Sequence, residues 1–414
     1  MPFVWCTIAQ QNPSVSSSFS RELLNYFELR QLAAVFSAGV NKQQISILLT
    51  VVILRFVAAQ GPLLSIDDPL YPQHGTVRDV RLWPLADIDY CTAHVRFWPK
   101  ADIDPSEARV AGVSLGVFKL SSMERIVPTH AIGRGNDPTY GESNELFPWW
   151  SITKTVLAAA VLRLADRGRL SLDNFYRDRP YTIRQLLQHT AGLNTYGGPL
   201  YRAAVAAGDP VWPVAELLDR VKADRLIFSP GEGWAYSNVG YLFIRQLIEE
   251  TIDMEIDESL RVLVFEPMGI QRTRIAKTPG DMAKTHWGNP NGYDPRWVYH
   301  GLLIGPPSDA VDFLRRLFSG SFLSDEAAFA MKSMHALCGS IVGRPWKKTG
   351  YGLGLMIGEM EKAGLAFGHS GVGHDSVSSL YGFPKLPNSP VVAVFGQGIN
   401  EGTSEFEAVS LALG

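Results

Sequence analysis

Ser151-Ile152-Thr153-Lys154 is the stretch on which the reading of this chain turns. It sets a hydroxyl and an amine three residues apart at the start of an amphipathic pattern. On a helix those two positions share a face, about one turn apart. Val156, Leu157, Ala160, Val161 and Leu164 continue the pattern as an apolar stripe, and Gly168 after Arg163 and Arg167 marks a stop. The spacing predicts a helix that opens at Ser151. A hydroxyl becomes a strong nucleophile when a base takes its proton, and an amine one turn away can be that base. The helix N-terminus adds free N–H groups and a positive dipole end, which stabilise a developing oxyanion and disfavour a protonated lysine. Taken alone, the four residues also describe a capping serine ahead of a solvated lysine.

Working outward, the bulk properties narrow the class of protein. A chain of 414 residues is long for one core, so roughly two or three structural units are expected. Hydrophobic content of 46% and charged content of 19% describe a soluble globular protein. A net charge of -3 supplies no basic field, so no nucleic-acid partner is expected. Cys6, Cys91 and Cys338 lie far apart, without metal-ligand spacing or a disulfide framework. The apolar run Ile45 to Ala59 follows Lys42 and contains Arg55, too short and interrupted for a comfortable membrane span. With Ala58-Ala59-Gln60 it resembles the apolar core and cleavage site of a signal peptide, although it starts well inside the chain. Residues 42–60 are therefore expected to be a signal or anchor segment. Export to the periplasm is favoured over the cytoplasm, and any membrane association would run through this segment. The wider stretch 1–105 reads as an N-terminal extension. In it, Val80 to Asp89 recurs as Val95 to Asp104, two copies being too few for a solenoid.

From about Ala108 the patterning becomes regular. Ala111–Lys119 and Arg125–Gly133 read as paired strands. Helical patterns follow at Tyr181–Gln188 (stopped near Gly192), Val214–Lys222, Val239–Thr251, Glu255–Phe265 and Ser308–Phe318. Strands return at Tyr351–Ile357, Ala366–Gly368 and Val391–Phe395, and Ser404–Ala412 closes as a helix. Strands at both ends with helices between predict an α/β (α+β) fold. An antiparallel sheet flanked by helices is built from both ends of a catalytic region over residues 106–414, with a helical domain inserted at roughly residues 170–300.

Two further stretches suit a Ser/Lys hydrolase: Tyr236-Ser237-Asn238 ahead of a helix, and His369-Ser370-Gly371 on a late strand. In this order, with Phe147-Pro148-Trp149-Trp150 before Ser151, the chain resembles the serine β-lactamase and penicillin-binding-protein superfamily. Tyr-x-Asn in the middle motif is similar to the class C branch with its esterases and D-amino-acid peptidases. Gly168–Asp173, Leu186–Leu193, Phe265–Gly269 and Tyr351–Gly354 match further landmarks of that branch, so the resemblance covers roughly residues 108–414. It implies the β-lactamase/transpeptidase-like fold and the following roles. Ser151 would be the acylated nucleophile, with Lys154 and Tyr236 as general base and acid. Asn238, His369, Ser370 and Gly371 would bind substrate. The backbone N–H groups of Ser151 and Val372 would form the oxyanion hole. No metal or organic cofactor is implied. Structural readings stand beside these: Asn238 or Ser237 as a helix cap, Tyr236 as a core aromatic, His369 as a structural residue, and Trp149, Trp150 and Trp234 as core packing rather than pocket lining. His189 reads as fold-stabilising.

His369 stands where β-lactamases of this branch usually carry lysine, a fixed cation for the substrate carboxylate. This favours a hydrolase of a small-molecule ester, amide or D-amino-acid peptide, with any β-lactam turned over slowly. An ordinary histidine there would titrate and change the rate between about pH 5.5 and 7.5. The alternatives are a non-catalytic, cell-wall- or ligand-binding homologue and a weak class C-type β-lactamase. Gly368-His369-Ser370-Gly371-Val372-Gly373 misses the G-x-S-x-G elbow by one position, and no later histidine except His374 completes that triad order. His369 and His374 lack the helical face and intervening glutamate of an H-E-x-x-H metal site.

Overall fold

An eight-stranded antiparallel sheet carries the site. It is seen in a computed structural model that describes residues 129–134, 140–141, 143–337 and 339–414. The expected strand 111–119, the segment 42–60, the repeat and all three cysteines lie outside the described residues. The sheet order is β2-β1-β11-β10-β9-β8-β7-β6. These strands are β1 (Thr129–Gly133), β2 (Tyr140–Gly141), β6 (His335–Leu337), β7 (Trp346–Tyr351), β8 (Met356–Met360), β9 (Gly364–Val372), β10 (Ser376–Gly382) and β11 (Val391–Gln397). β3 (Phe147–Pro148), β5 (Leu303–Gly305) and β4 (Arg274–Ile275) form a small second sheet. β1 pairs with β11 from Thr129↔Phe395 to Gly133↔Val391, so strands from the start and the end of the described residues join in one sheet, as the α+β reading required.

The helices are α1 (Ile152–Asp166), α2 (Ile183–Gln188), α3 (Pro199–Ala207), α4 (Val214–Arg220), α5 (Asn238–Ile252), α6 (Ile256–Leu260), α7 (Pro279–Met282), α8 (Pro307–Leu317), α9 (Asp325–Lys332) and α10 (Glu401–Leu413). The pattern expected over 255–265 breaks into α6 and a π-helical turn, Arg261–Phe265. Among the described residues, no helix is long and apolar enough to cross a membrane.

α1 is not the one-sided amphipathic helix its stripe suggested. Every residue from Ile152 to Leu162 is buried, Thr153, Lys154 and Thr155 included. A helix covered all round belongs to an interior, and α1 is the central element of the main core. Its small residues admit close neighbours. Gly354 packs so tightly that a Cβ there would lie 2.4 Å from the Cβ of Ala158, and Thr155 Oγ1 donates to the Gly354 carbonyl at 2.7 Å. That glycine, at φ +75°, belongs to the turn of a hairpin. The single strand expected over 351–357 is therefore corrected: Tyr351 ends β7 and Met356 opens β8, paired with each other. On the other face of the sheet, α10 buries Ala408, Val409 and Ala412 against Val392, Val394, Tyr381 and Trp346.

Two local devices present the motif loops. α2 opens with a capping box: Thr182 Oγ1 accepts from Gln185 N at 3.2 Å, and Gln185 Oε1 accepts from Thr182 N at 2.9 Å. α2 ends at Gln188, as expected, and the residue that stops it is His189 in the left-handed conformation (φ 63°) rather than Gly192. Thr182→Ala should lower unfolding free energy by about 1 kcal/mol, read as a urea midpoint shift with unchanged slope. A shift below about 0.3 kcal/mol would mean that solvent replaces the cap.

Candidate active site

Ser151 takes the N-cap position of α1 with φ -72° and ψ -10°, but its side chain caps nothing. The hydroxyl turns to Lys154 instead, whose Nζ lies 3.1 Å from Ser151 Oγ. Lys154 is fully buried. The picture of a capping serine with a solvated lysine therefore does not describe this helix. Burial pushes the Lys154 amine well below its ordinary range, opposed by the negative charge of Glu401. Ahead of the serine, Trp150 holds φ +45°, a strained conformation for a bulky residue. It is locked by its indole N–H donating to Ser376 Oγ at 2.8 Å and by an edge-on contact with Tyr293.

β9 comes up against this helix start. A Cβ on Gly371 would lie 2.6 Å from Ser151 N and 2.7 Å from Trp150 Cβ, and one on Gly373 would enter the Trp150 ring. Only glycine permits that approach. Gly373 N–H bonds Ser376 O at 3.1 Å, and Val372 faces Val377 one step earlier in the ladder. By the alternation of an antiparallel pair, the Val372 N–H then points away from β10. On that side β8 has already ended, its last pair being Met356↔Gly368.

Tyr236 arrives from the loop before α5. Its hydroxyl lies beside Ser151, and Lys154 Nζ sits 5.0 Å from its ring centre. The ring packs on His189 at 4.3 Å between centroids, with Tyr351 and His369 each at 6.2 Å. Burial drives the phenol upward, so it is a neutral proton donor rather than a resting phenolate. Ser237 is the cap of α5: its Oγ accepts from Gly240 N at 3.1 Å and donates to Asn194 O at 2.7 Å. Asn238 holds the neighbouring loop, its N–H on Thr195 Oγ1 at 3.0 Å and its Nδ2 on Tyr196 O at 3.2 Å. His189 Nδ1 accepts the Ser237 N–H at 3.1 Å, tying α2 to the Tyr236 loop.

His369 faces the cluster but does not titrate as expected. Burial first, then the cationic form of Lys154, lowers it to about 3. The expected rate change between pH 5.5 and 7.5 is thereby corrected, because the imidazole is already neutral there. Its Nδ1 meets the Ser370 carbonyl and so carries the proton, leaving Nε2 to accept from Tyr351 OH at 2.9 Å. Ser370 points to the opposite face of the sheet. Its Oγ accepts from Arg344 Nη2 at 2.7 Å and donates to Glu401 Oε1 at 3.0 Å. Arg344 also bonds fully buried Glu405, which accepts from Tyr381 OH at 2.7 Å and Trp346 Nε1 at 3.2 Å. The Ser370 side chain thus braces β9 against α10, and the structure does not bring it to Ser151. Trp149, Trp150 and Trp234 are all buried.

The sequence reading missed one neighbour of the cluster. His300, in the turn before β5, places Nε2 3.2 Å from Lys154 Nζ and Nδ1 2.9 Å from Tyr196 OH. No motif announces it, and it lies 146 residues from Lys154.

The sheet and the helix buried against it are those of the serine β-lactamase and penicillin-binding-protein superfamily, in which the similar proteins include an esterase and an amidase. The family model described as Beta-lactamase matches residues 109–395, more than half of the chain, and the chain belongs to that family. It is 31% identical over 143 residues to Penicillin-binding protein 4* of Bacillus subtilis (strain 168), covering 32% of this chain and 31% of that one. It is 31% identical over 147 residues to Esterase EstB of Burkholderia gladioli, covering 30% and 37%. The chain thus spans about a third of the length of these curated relatives. Among solved structures, D-amino acid amidase from Ochrobactrum anthropi SV3, complexed with D-phenylalanine, is similar in fold. Its TM-score is 0.58 at 20% identity, covering 69% of this chain and 92% of that one.

Proposed function

We propose that this protein is a serine hydrolase that cleaves a small ester or amide through an acyl-enzyme on Ser151. The observation that carries the reading is the 3.1 Å contact between a hydroxyl that caps nothing and a fully buried amine. Ser151 Oγ attacks the substrate carbonyl carbon as its proton passes to Lys154 Nζ. The negative charge formed on the carbonyl oxygen is held by the N–H groups of Ser151 and Val372. The tetrahedral species collapses, the bond to the leaving group breaks, and Tyr236 gives that group a proton. The Lys154 ammonium returns a proton to Tyr236. Water then attacks the acyl carbon, with the same groups in reversed roles, and frees Ser151.

Neutral His369 leaves the third motif without a cation for a substrate carboxylate. That supports acyl groups without a carboxylate and slow β-lactam turnover. The names of the similar proteins, an esterase and a D-amino acid amidase, support the same substrate class. In this reading Asn238 and the Gly371 backbone would contact the substrate.

A fluorophosphonate probe should label the protein at Ser151, and Ser151→Ala should abolish both labelling and turnover. Assays on p-nitrophenyl esters, D-amino acid amides and a chromogenic cephalosporin rank the substrates, with the cephalosporin expected last. A wild-type protein that resists the probe yet binds a cell-wall fragment would replace this reading with a binding homologue.

A further inference from the structure

Lys154 has more than one polar neighbour. Besides Ser151 Oγ, its Nζ touches His300 Nε2 at 3.2 Å, and the far nitrogen of that ring meets Tyr196 OH at 2.9 Å. Lys154, His300 and Tyr196 are 0%, 3% and 4% exposed, so the chain of contacts is shielded from water. We propose that His300, held from behind by Tyr196, is a positioning residue for proton transfer between Ser151 and Lys154. This rests on the hydrolase reading and extends it to residues that no motif of the chain points to.

The argument follows from counting donors and acceptors. A neutral amine has two N–H bonds and one lone pair, and an ammonium has three N–H bonds and none. If one N–H of Lys154 points at His300 Nε2, the amine cannot swing, and its lone pair is left for the Ser151 O–H. After transfer the same N–H still points at the same acceptor. One contact therefore serves both charge states, with no reorganisation at the moment of reaction. It requires the imidazole to be neutral with its proton on Nδ1, donated to the Tyr196 oxygen. Burial and the cationic form of Lys154 both hold His300 neutral. The opposite tautomer would aim an N–H at an ammonium. The titratable and charged groups that act on the pair are His189, His369, Arg245 and Glu401, with Tyr236 and Tyr241 presenting ring faces to the amine.

The experiment compares His300→Leu, His300→Gln and Tyr196→Phe with wild type on a p-nitrophenyl ester. kcat and KM are measured from pH 5 to 10, each normalised to Ser151 sites counted with a fluorophosphonate. His300→Leu removes the acceptor. kcat should fall by about tenfold or more with KM nearly unchanged. The acid limb of kcat/KM should move to lower pH, because the ammonium has lost a partner. His300→Gln can place its amide oxygen near the Nε2 position, and should recover most of the rate and return the limb toward wild type. Tyr196→Phe should move both quantities the same way by less, and carries the test if His300→Leu does not fold. The proposal is overturned if the acid limb stays at the wild-type pH in the folded variants, or if glutamine is no better than leucine. A wild type that neither labels nor turns over would bring down the hydrolase reading and this inference with it. An active wild type with indifferent variants would remove only His300.

Discussion

Lys154→Met should yield a folded protein, more stable to heat than wild type, whose kcat is lower by about three orders of magnitude. Two consequences of one burial oppose each other here. The Lys154 amine has no exposed surface, so its charged form loses water without gaining a carboxylate at contact distance. Its basicity falls, which makes a neutral base available at the pH where the hydroxyl must be deprotonated. The unfolded chain, by contrast, keeps an ordinary lysine near 10.4. At neutral pH the unfolded state therefore holds a proton that the folded state resists, and this weakens folding. Methionine has similar length and no such penalty, so it fills the space between Tyr236, Tyr241 and His300 and removes the base. Ser151→Ala/Lys154→Met should be no slower than Ser151→Ala alone, because the two residues act on one proton. Calorimetry and steady-state rates on the same preparation decide the matter. A variant that keeps more than about a tenth of the wild-type kcat would show that another group takes the serine proton.

What the sequence showed of this arrangement depended on how local the responsible interactions are. The Ser151-x-x-Lys154 pair was legible because a single helical turn sets its geometry. The burial of α1 on all sides was not, since the covering residues come from β9, α5 and the 351–356 hairpin. β10 escaped notice for a related reason. Its sequence, Ser376-Val377-Ser378-Ser379-Leu380-Tyr381-Gly382, does not alternate apolar and polar. It is buried on both faces, and its three serines all have partners: Ser376 Oγ accepts from the Trp150 indole, Ser378 Oγ donates to Trp149 O at 3.1 Å and Ser379 Oγ to Ser404 O at 2.9 Å. The hairpin at 351–356 read as one strand because Gly352 and Gly354 look the same in a strand and in a turn. Ser370 and His369, adjacent in sequence, face opposite sides of β9. Which side held Arg344 and which held Ser151 depends on the sheet order, and no spacing rule contains that. His300 was invisible because a lone histidine in a loop carries no pattern. His369 was legible as a position but not as a titrating group, because its pKa is set by burial among Tyr236, Tyr351 and Lys154.

Acidification from pH 7 to pH 5 should destabilise the protein by several kcal/mol, with His189, His300 and His369 as the cause. The three side chains are 2%, 3% and 2% exposed. Burial is the leading cause that lowers each of them, with the positive charge of Lys154 adding to it, and His369 falls to about 3. The direction follows from comparing the two states. The folded protein keeps these rings neutral, while the unfolded chain protonates them below about 6.5. The stability they support is therefore intact above that pH and is lost as pH falls toward the folded-state values. Each ring adds a slope of up to about 1.4 kcal/mol per pH unit, so three together approach about 4 kcal/mol per unit below pH 6. Lowered carboxylates such as Asp173, Asp281 and Asp294 act only at lower pH, below about 4. Urea midpoints at pH 7.5, 6.5, 5.5 and 5.0 measure the slope directly. These three rings should take up nearly three protons on unfolding at pH 5.5, beside any that Lys154 takes up, and His369→Gln should remove about one of them. A stability that stays flat between pH 7 and pH 5 would mean that at least two of these rings are already charged, or reach water, in the folded protein. A charged His369 would restore the cation that the third motif otherwise lacks, and substrates with a carboxylate would then become the better candidates.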